Sequence, residues 1–83
     1  MKIVIIDDHS LFSEGLAKII ESTFADVQIS IFNRIEQFEK APDNKSNISL
    51  LISDIELPGE DIFEFLTHAS WFYLRHLFVV EDI

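Results

Sequence analysis

The fold is decided by the stretch Lys2-Ile3-Val4-Ile5-Ile6-Asp7-Asp8-His9, in which four apolar residues run directly into two adjacent carboxylates. An unbroken run of Ile and Val has no polar side to offer water, so it predicts a strand covered on both faces, as in a parallel sheet. In open α/β sheets, ligands bind in the crevice beyond the carboxyl ends of the strands. The sequence therefore predicts that Asp7 and Asp8 lie at a functional edge. His9, a lone histidine in a loop, is interpreted as structural.

A second apolar run has the same form. The stretch Ile48-Ser49-Leu50-Leu51-Ile52-Ser53 leads into Asp54. If the two strands are parallel neighbours, three carboxylates meet at one edge and repel one another unless positive charge is present. A hard divalent cation with oxygen ligands is the natural partner, and Mg²⁺ is the default choice. Any single acid could instead be a solvated loop residue, but the three together favour a site.

These acids belong to a larger set of motifs that spans about residues 2 to 66. The set consists of Asp7-Asp8-His9, Leu11, Phe12, Glu14-Gly15-Leu16, Asp54, Leu57-Pro58-Gly59 and Asp61. In order and spacing it resembles the receiver domain of two-component response regulators. The Asp-Asp-His and Glu-Gly-Leu parts are similar to the LuxR-type branch of transcription regulators in particular.

The resemblance implies a role for each acid. Asp54 would be the phosphoacceptor, a sensor histidine kinase would be the phosphoryl donor, and the protein would not itself be an enzyme. Asp7, Asp8 and Asp54 would hold Mg²⁺, with the backbone carbonyl of Glu56 as a further ligand. The implied fold is α/β, a truncated flavodoxin-like (CheY-like) three-layer sandwich with a parallel sheet of three to four strands in the order 2-1-3-4.

The first half of the chain predicts two helices and a strand. Ser10 can cap a helix that ends near Thr23. Gly15 in its interior indicates either a close contact or a tolerated glycine. Alternation of apolar and polar residues predicts a strand over residues 26–32. Asn33 and Glu36 then form a candidate capping box for a second helix, which Pro42 ends before a polar loop over residues 41–47.

The second half departs from the family pattern. Asp61 is placed to start a third helix, but Ile62 stands where the family usually has glycine. Glu81 and Asp82 are the nearest counterparts of the Ser/Thr that ends the fourth strand in the family. The lysine that ends the fifth strand has no counterpart up to Ile83, and the basic residues Lys2, Lys18, Lys40 and Lys45 are predicted to lie away from the edge. Phosphotransfer to Asp54 is therefore expected to be slow.

Residues 71–83 allow two interpretations. The third helix could continue past Ala69, or Leu77-Phe78-Val79-Val80 could form a fourth strand, which we favour because the run is rich in β-favouring residues. The aromatic residues 71–73 are interpreted as core or interface. Without a fifth helix, either Ile3 and Ile5 or Val4 and Ile6 are expected to be partly exposed. A homodimer, with a possible exchange of residues 61–83, is expected to cover them.

Composition limits the remaining functions. The 83 residues make one domain, residues 1–83, and fifteen acidic against six basic residues give a formal net charge of −9. Such a surface repels nucleic acid. The absence of cysteine fits a reducing cytoplasm, and nothing in the sequence predicts a leader or a membrane span.

Two other functions remain beside phosphoacceptance. One is a receiver-derived interaction or oligomerisation module without phosphorylation. The other is a haloacid-dehalogenase-type phosphatase, which is disfavoured because that family has Asp-x-Asp on its first strand.

Overall fold

Strands and helices alternate along the chain. The computed structural model describes residues 1–41 and 48–67, and the backbone alone of residues 74–80. The elements are β1 Lys2–Ile6, α1 Ser10–Thr23, β2 Gln28–Phe32, α2 Ile35–Lys40, β3 Ile48–Asp54, α3 Ile62–Thr67 and β4 Leu74–Val80. The prediction of an α/β protein is confirmed.

The sheet is parallel and β1 is an inner strand. Ile5 of β1 is in register with Ile31 of β2 on one side and with Ile52 of β3 on the other. This confirms the order 2-1-3, and β4 pairs in parallel with the outer side of β3. Of the two interpretations of residues 74–80, the structure has the strand.

Helices cover both faces of the sheet. On one face, Ile3, Ile5 and Ile52 pack with Ala17 and Ile20 of α1. On the other, Val4, Ile6 and Leu51 pack with residues of α2 and α3, namely Ile35, Phe38 and Ile62. Two separate apolar cores therefore lie on either side of one sheet.

The prediction that two side chains of β1 are partly exposed is wrong. Ile3, Val4, Ile5 and Ile6 are all buried. Among the partly buried residues on the face that α1 covers, three lie on the neighbouring strands, at Ile29, Ile31 and Leu50. An inner strand is screened by its neighbours on both sides, so an incomplete helical layer exposes the flanking strands first.

The two predicted helix starts in the first half of the chain are wrong. Ser10 is already helical and His9 stands at the N-cap position of α1, although the predicted end at Thr23 is confirmed. The capping box of Asn33 and Glu36 does not form, because α2 begins only at Ile35 and Glu36 pairs with Lys40. The start of α3 is as predicted, since Asp61 Oδ1 accepts hydrogen bonds from the N–H groups of residues 63 and 64, at 2.9 and 3.2 Å.

Several predictions fall outside the described residues. They concern Pro42, Lys45 and the rest of residues 42–47, the aromatic residues 71–73, and Glu81 and Asp82. Among the helices that the structure describes, none is long and apolar enough to cross a bilayer.

Gly15 is a tolerated glycine. A Cβ atom built on it would meet no atom of the described residues within 4 Å, apart from its own helix backbone and chain neighbours. The close contact that a glycine inside a helix can indicate is therefore absent at this position of α1.

Gly15→Ala is expected to raise the free energy of unfolding by about 0.5–1 kcal/mol, because alanine loses less backbone entropy in a helix. Urea denaturation followed by circular dichroism measures it. Gly59→Ala is the opposing control: Gly59 has φ of 74°, where a side chain costs about 1–2 kcal/mol. A loss of stability in Gly15→Ala would contradict the open environment of Gly15.

Candidate metal centre

The register of the sheet brings three carboxylates to one edge. Ile6 of β1 pairs with Ser53 of β3, so Asp7, which follows β1, lies beside Asp54, which ends β3. The N–H of Asp7 also donates to the carbonyl of Phe32 at 2.9 Å, which holds the end of β1 to β2. One ligand atom from each of Asp7, Asp8, His9 and Asp54 lies within 4.8 Å of the other three. The three acids that the sequence singles out therefore meet.

Two of these acids are withdrawn from water. Asp54 is 1% exposed and Asp7 is 4% exposed, whereas the side chain of Asp8 is 29% exposed. Carboxylates that lie this close together and are shielded from water repel one another. The arrangement calls for compensating positive charge.

Backbone N–H groups hold the two buried carboxylates in place. Asp7 Oδ1 accepts a hydrogen bond from the N–H of His9 at 2.8 Å. Asp54 Oδ1 accepts one from the N–H of Glu56 at 2.9 Å. Each bond closes a turn over two residues just beyond the strand, so the strand end fixes both the position and the orientation of the carboxylate.

His9 lies within the carboxylate cluster, and its interpretation as a structural residue stays a prediction. Its Nδ1 lies 3.0 Å from Asp7 Oδ1, 3.0 Å from Asp8 Oδ1 and 3.6 Å from Asp54 Oδ2. One Nδ1–H group carries a single proton, so it cannot satisfy three carboxylates at once. The signal that could have identified His9 is its position directly after the acid pair.

The donor set suits a hard divalent cation. Three carboxylates from two strand ends supply oxygen ligands, and a cation would offset the repulsion between them. Glu56 has an exposed side chain and donates its N–H to Asp54, while the metal-binding role of its carbonyl stays a prediction. The cluster could therefore hold Mg²⁺ through Asp7, Asp8 and Asp54.

A contact between distant parts of the chain reaches the loop that follows Asp54. Arg34 follows β2, whose carboxyl end lies beside that of β1, and it contacts the loop after β3. Its guanidinium donates to the carbonyl of Pro58, and its Nε lies 3.4 Å from Glu60 Oε1. No local sequence signal pairs these residues, which are more than twenty positions apart.

The comparisons with known proteins found no match. None was found among models of protein families, among curated proteins or among solved structures.

Saturable Mg²⁺ binding is expected at roughly millimolar concentration, as for a site that leaves several waters on the ion. Amide chemical shifts of residues 7–9 and 54–56 would follow the titration. Asp8→Ala should abolish the response, because it removes one of the three carboxylates.

Glu21→Ala is the matched control for this titration. It removes an exposed carboxylate near the far end of α1 and should leave the Mg²⁺ affinity unchanged. Equal weakening in both variants would show diffuse attraction to an acidic surface instead of a site.

Proposed function

We propose that this chain is a receiver of two-component signal transduction, with a truncated flavodoxin-like fold, and that it works in the cytoplasm. Asp54 accepts a phosphoryl group from a sensor histidine kinase, and the change serves transcription regulation. The observation that carries the proposal is the position of Asp54, buried at the carboxyl end of β3 with Asp7 and Asp8 beside it. The motif set described above supports the same function.

Asp7, Asp8 and Asp54 would hold Mg²⁺, joined by the backbone carbonyl of Glu56. When bound, Mg²⁺ supplies positive charge that offsets the carboxylates and the phosphoryl oxygens. The fit rests on the donor set, because all three side chains present oxygen atoms within one small volume.

The proposed transfer forms one bond and breaks one. A carboxylate oxygen of Asp54 attacks the phosphorus of a phosphohistidine, and the phosphorus–nitrogen bond breaks with its electron pair left on the imidazole nitrogen. The N–H of Glu56, bonded to Asp54 Oδ1, keeps the carboxylate oriented for the attack. Placing a nucleophile in one geometry lowers the barrier by removing freedom that the reaction would otherwise have to restrict.

The contacts of Arg34 are in keeping with a slow transfer. Its guanidinium is engaged by Pro58 and Glu60, so it is held to the loop instead of reaching for a phosphoryl group. The donor without a counterpart up to Ile83 is the lysine that ends the fifth strand in the receiver family. Loss of one donor that stabilises the charge of a transition state typically lowers the rate by about 10²–10³-fold.

Acetyl phosphate with Mg²⁺ should modify Asp54 at least tenfold more slowly than it modifies a receiver that has the lysine at the end of its fifth strand. The reason is that a charge-stabilising donor is missing. Mass spectrometry over time would detect the added phosphoryl group. Asp54→Asn should remain unmodified, since an amide oxygen is a poor nucleophile.

Asp61→Asn is the matched control for acetyl phosphate, because Asp61 is exposed and caps α3. It should be modified like the unchanged protein. Modification of Asp54→Asn at the original rate would place the acceptor elsewhere and reject the proposal.

A second candidate function is an oligomerisation module that works without phosphorylation. It is favoured by apolar side chains that α1 presents to water: Leu11 is 89%, Phe12 44% and Ile19 64% exposed. Phe12 and Ile19 are seven residues apart and so lie on one side of the helix. Such a row fits a second copy of the chain, and a kinase helix would suit the same surface.

For the homodimer, sedimentation velocity at micromolar concentration should give a twofold species. Phe12→Asp with Ile19→Asp should convert it to a monomer, because buried carboxylates without partners oppose association. Glu21→Lys changes the charge at an exposed position of the same helix, about half a turn away from Phe12 and Ile19, and should leave the dimer intact. A folded monomer at every concentration would reject the second candidate.

A further inference from the structure

We propose that Arg34 and Glu60 are positioning residues for the cation site. The pair fixes residues 55–61, the loop between β3 and α3, against the start of α2. This inference rests on the proposed function, because it concerns the same site. It assigns a role to two residues that do not themselves belong to the carboxylate cluster.

Glu60 joins two elements that are distant in sequence. Its Oε1 accepts a hydrogen bond from the N–H of Ile35 at 2.8 Å, and its Oε2 accepts one from the N–H of Glu36 at 3.0 Å. The first N–H groups of a helix have no partner within the helix, and a carboxylate satisfies them with favourable charge. The loop after β3 therefore supplies the N-terminal cap of α2.

Arg34 completes the connection from the other side. It donates to the carbonyl of Pro58 and faces Glu60 through its Nε. Because Arg34 stands at the N-cap position of α2, the helix start and the loop hold each other at two points. The side chain of Glu60 is 14% exposed and that of Arg34 is 35% exposed, so water screens the arginine more than the glutamate.

The clamped loop is the one that follows Asp54. Its first part carries Glu56, whose N–H is bonded to Asp54 Oδ1. Its middle is held by the buried side chain of Leu57 and by a turn in which the N–H of Glu60 donates to the carbonyl of Leu57 at 2.9 Å. If Glu60 is released, the loop loses its hydrogen bonds to the first N–H groups of α2, and the backbone of Glu56 is held less firmly.

Groups that orient metal ligands typically contribute about 10–100-fold to metal affinity. We expect Glu60→Gln and Arg34→Lys each to weaken Mg²⁺ binding by about tenfold, the lower end of that range. Glutamine keeps one acceptor for the helix cap but loses the charge. Lysine keeps the charge but lacks the planar fork that reaches Pro58 and Glu60 together. In the absence of Mg²⁺, the backbone amide of Glu56 should have a different chemical shift in each of the two variants from the one it has in the original protein.

Two controls separate positioning from general destabilisation. Glu36→Gln breaks the exposed pair with Lys40 on the same helix, and Ile20→Val thins the core on the opposite face of the sheet. Neither should change the Mg²⁺ affinity or the Glu56 amide. Urea denaturation would confirm that each variant is folded in the titration.

The outcomes distinguish this inference from the function on which it rests. Unchanged affinity in both clamp variants, with binding in the original protein that Asp8→Ala abolishes, would overturn the clamp alone. Equal weakening in Ile20→Val would also overturn it, as an effect of stability. No Mg²⁺ binding by the original protein would reject the cation site and the clamp together.

Discussion

The burial of β1 on both faces is the constraint on which the rest of the structure depends. Its residues from Ile3 to Ile6 are at most 2% exposed, and each such side chain favours burial by about 1.5–3 kcal/mol. A strand without a wet face needs a strand on each side and helices above and below. β2 and β3 are the neighbouring strands. α1 covers one face of β1, and α2 and α3 cover the other. Because β1 is an inner strand, the acids that follow it, Asp7 and Asp8, lie in the middle of the edge formed by the carboxyl ends of the strands.

The same arrangement concentrates an electrostatic cost at one place. Asp7 and Asp54 lose contact with water because they continue buried strands, and they face each other because those strands are neighbours. Hydrogen bonds from the N–H groups of His9 and Glu56 offset part of this cost. Proteins depart from ordinary rules of polarity mainly where function requires it, and this edge is the clearest such departure among the described residues.

The two ion pairs of α2 differ in what they connect. Lys40 and Glu36 lie one turn apart on an exposed surface, where the hydrogen bond and charge of Lys40 lower the pKa of Glu36. Such pairs contribute little to stability because water screens both charges. Arg34 and Glu60 instead join the helix to a loop more than twenty residues away, the one that follows Asp54. Arg34 and Glu60 matter because they hold the loop after Asp54 against the start of α2.

The sequence by itself determined the sheet and the acids that end its strands. The apolar runs before Asp7 and Asp54 specify buried strands, and parallel pairing then places both acids at one edge. The end of α1 at Thr23 and the start of α3 at Asp61 followed from local signals as well. Each of these features depends on residues that are close together in the chain, which is why pattern and spacing were sufficient.

Tertiary structure decided the features in which several partners could meet the same need. The N–H groups at the start of α2 can donate to any well-placed acceptor, and Glu60 accepts from them in place of the predicted cap, Asn33. His9 could have pointed to water, but the cluster gathers its Nδ1 among three carboxylates. The order of the strands in the sheet decided which of them became partly exposed to water. β1 has a strand on each side and stayed buried. Hydrogen bonds and charges act by distance in space, and the sequence fixes that distance only after the chain has folded.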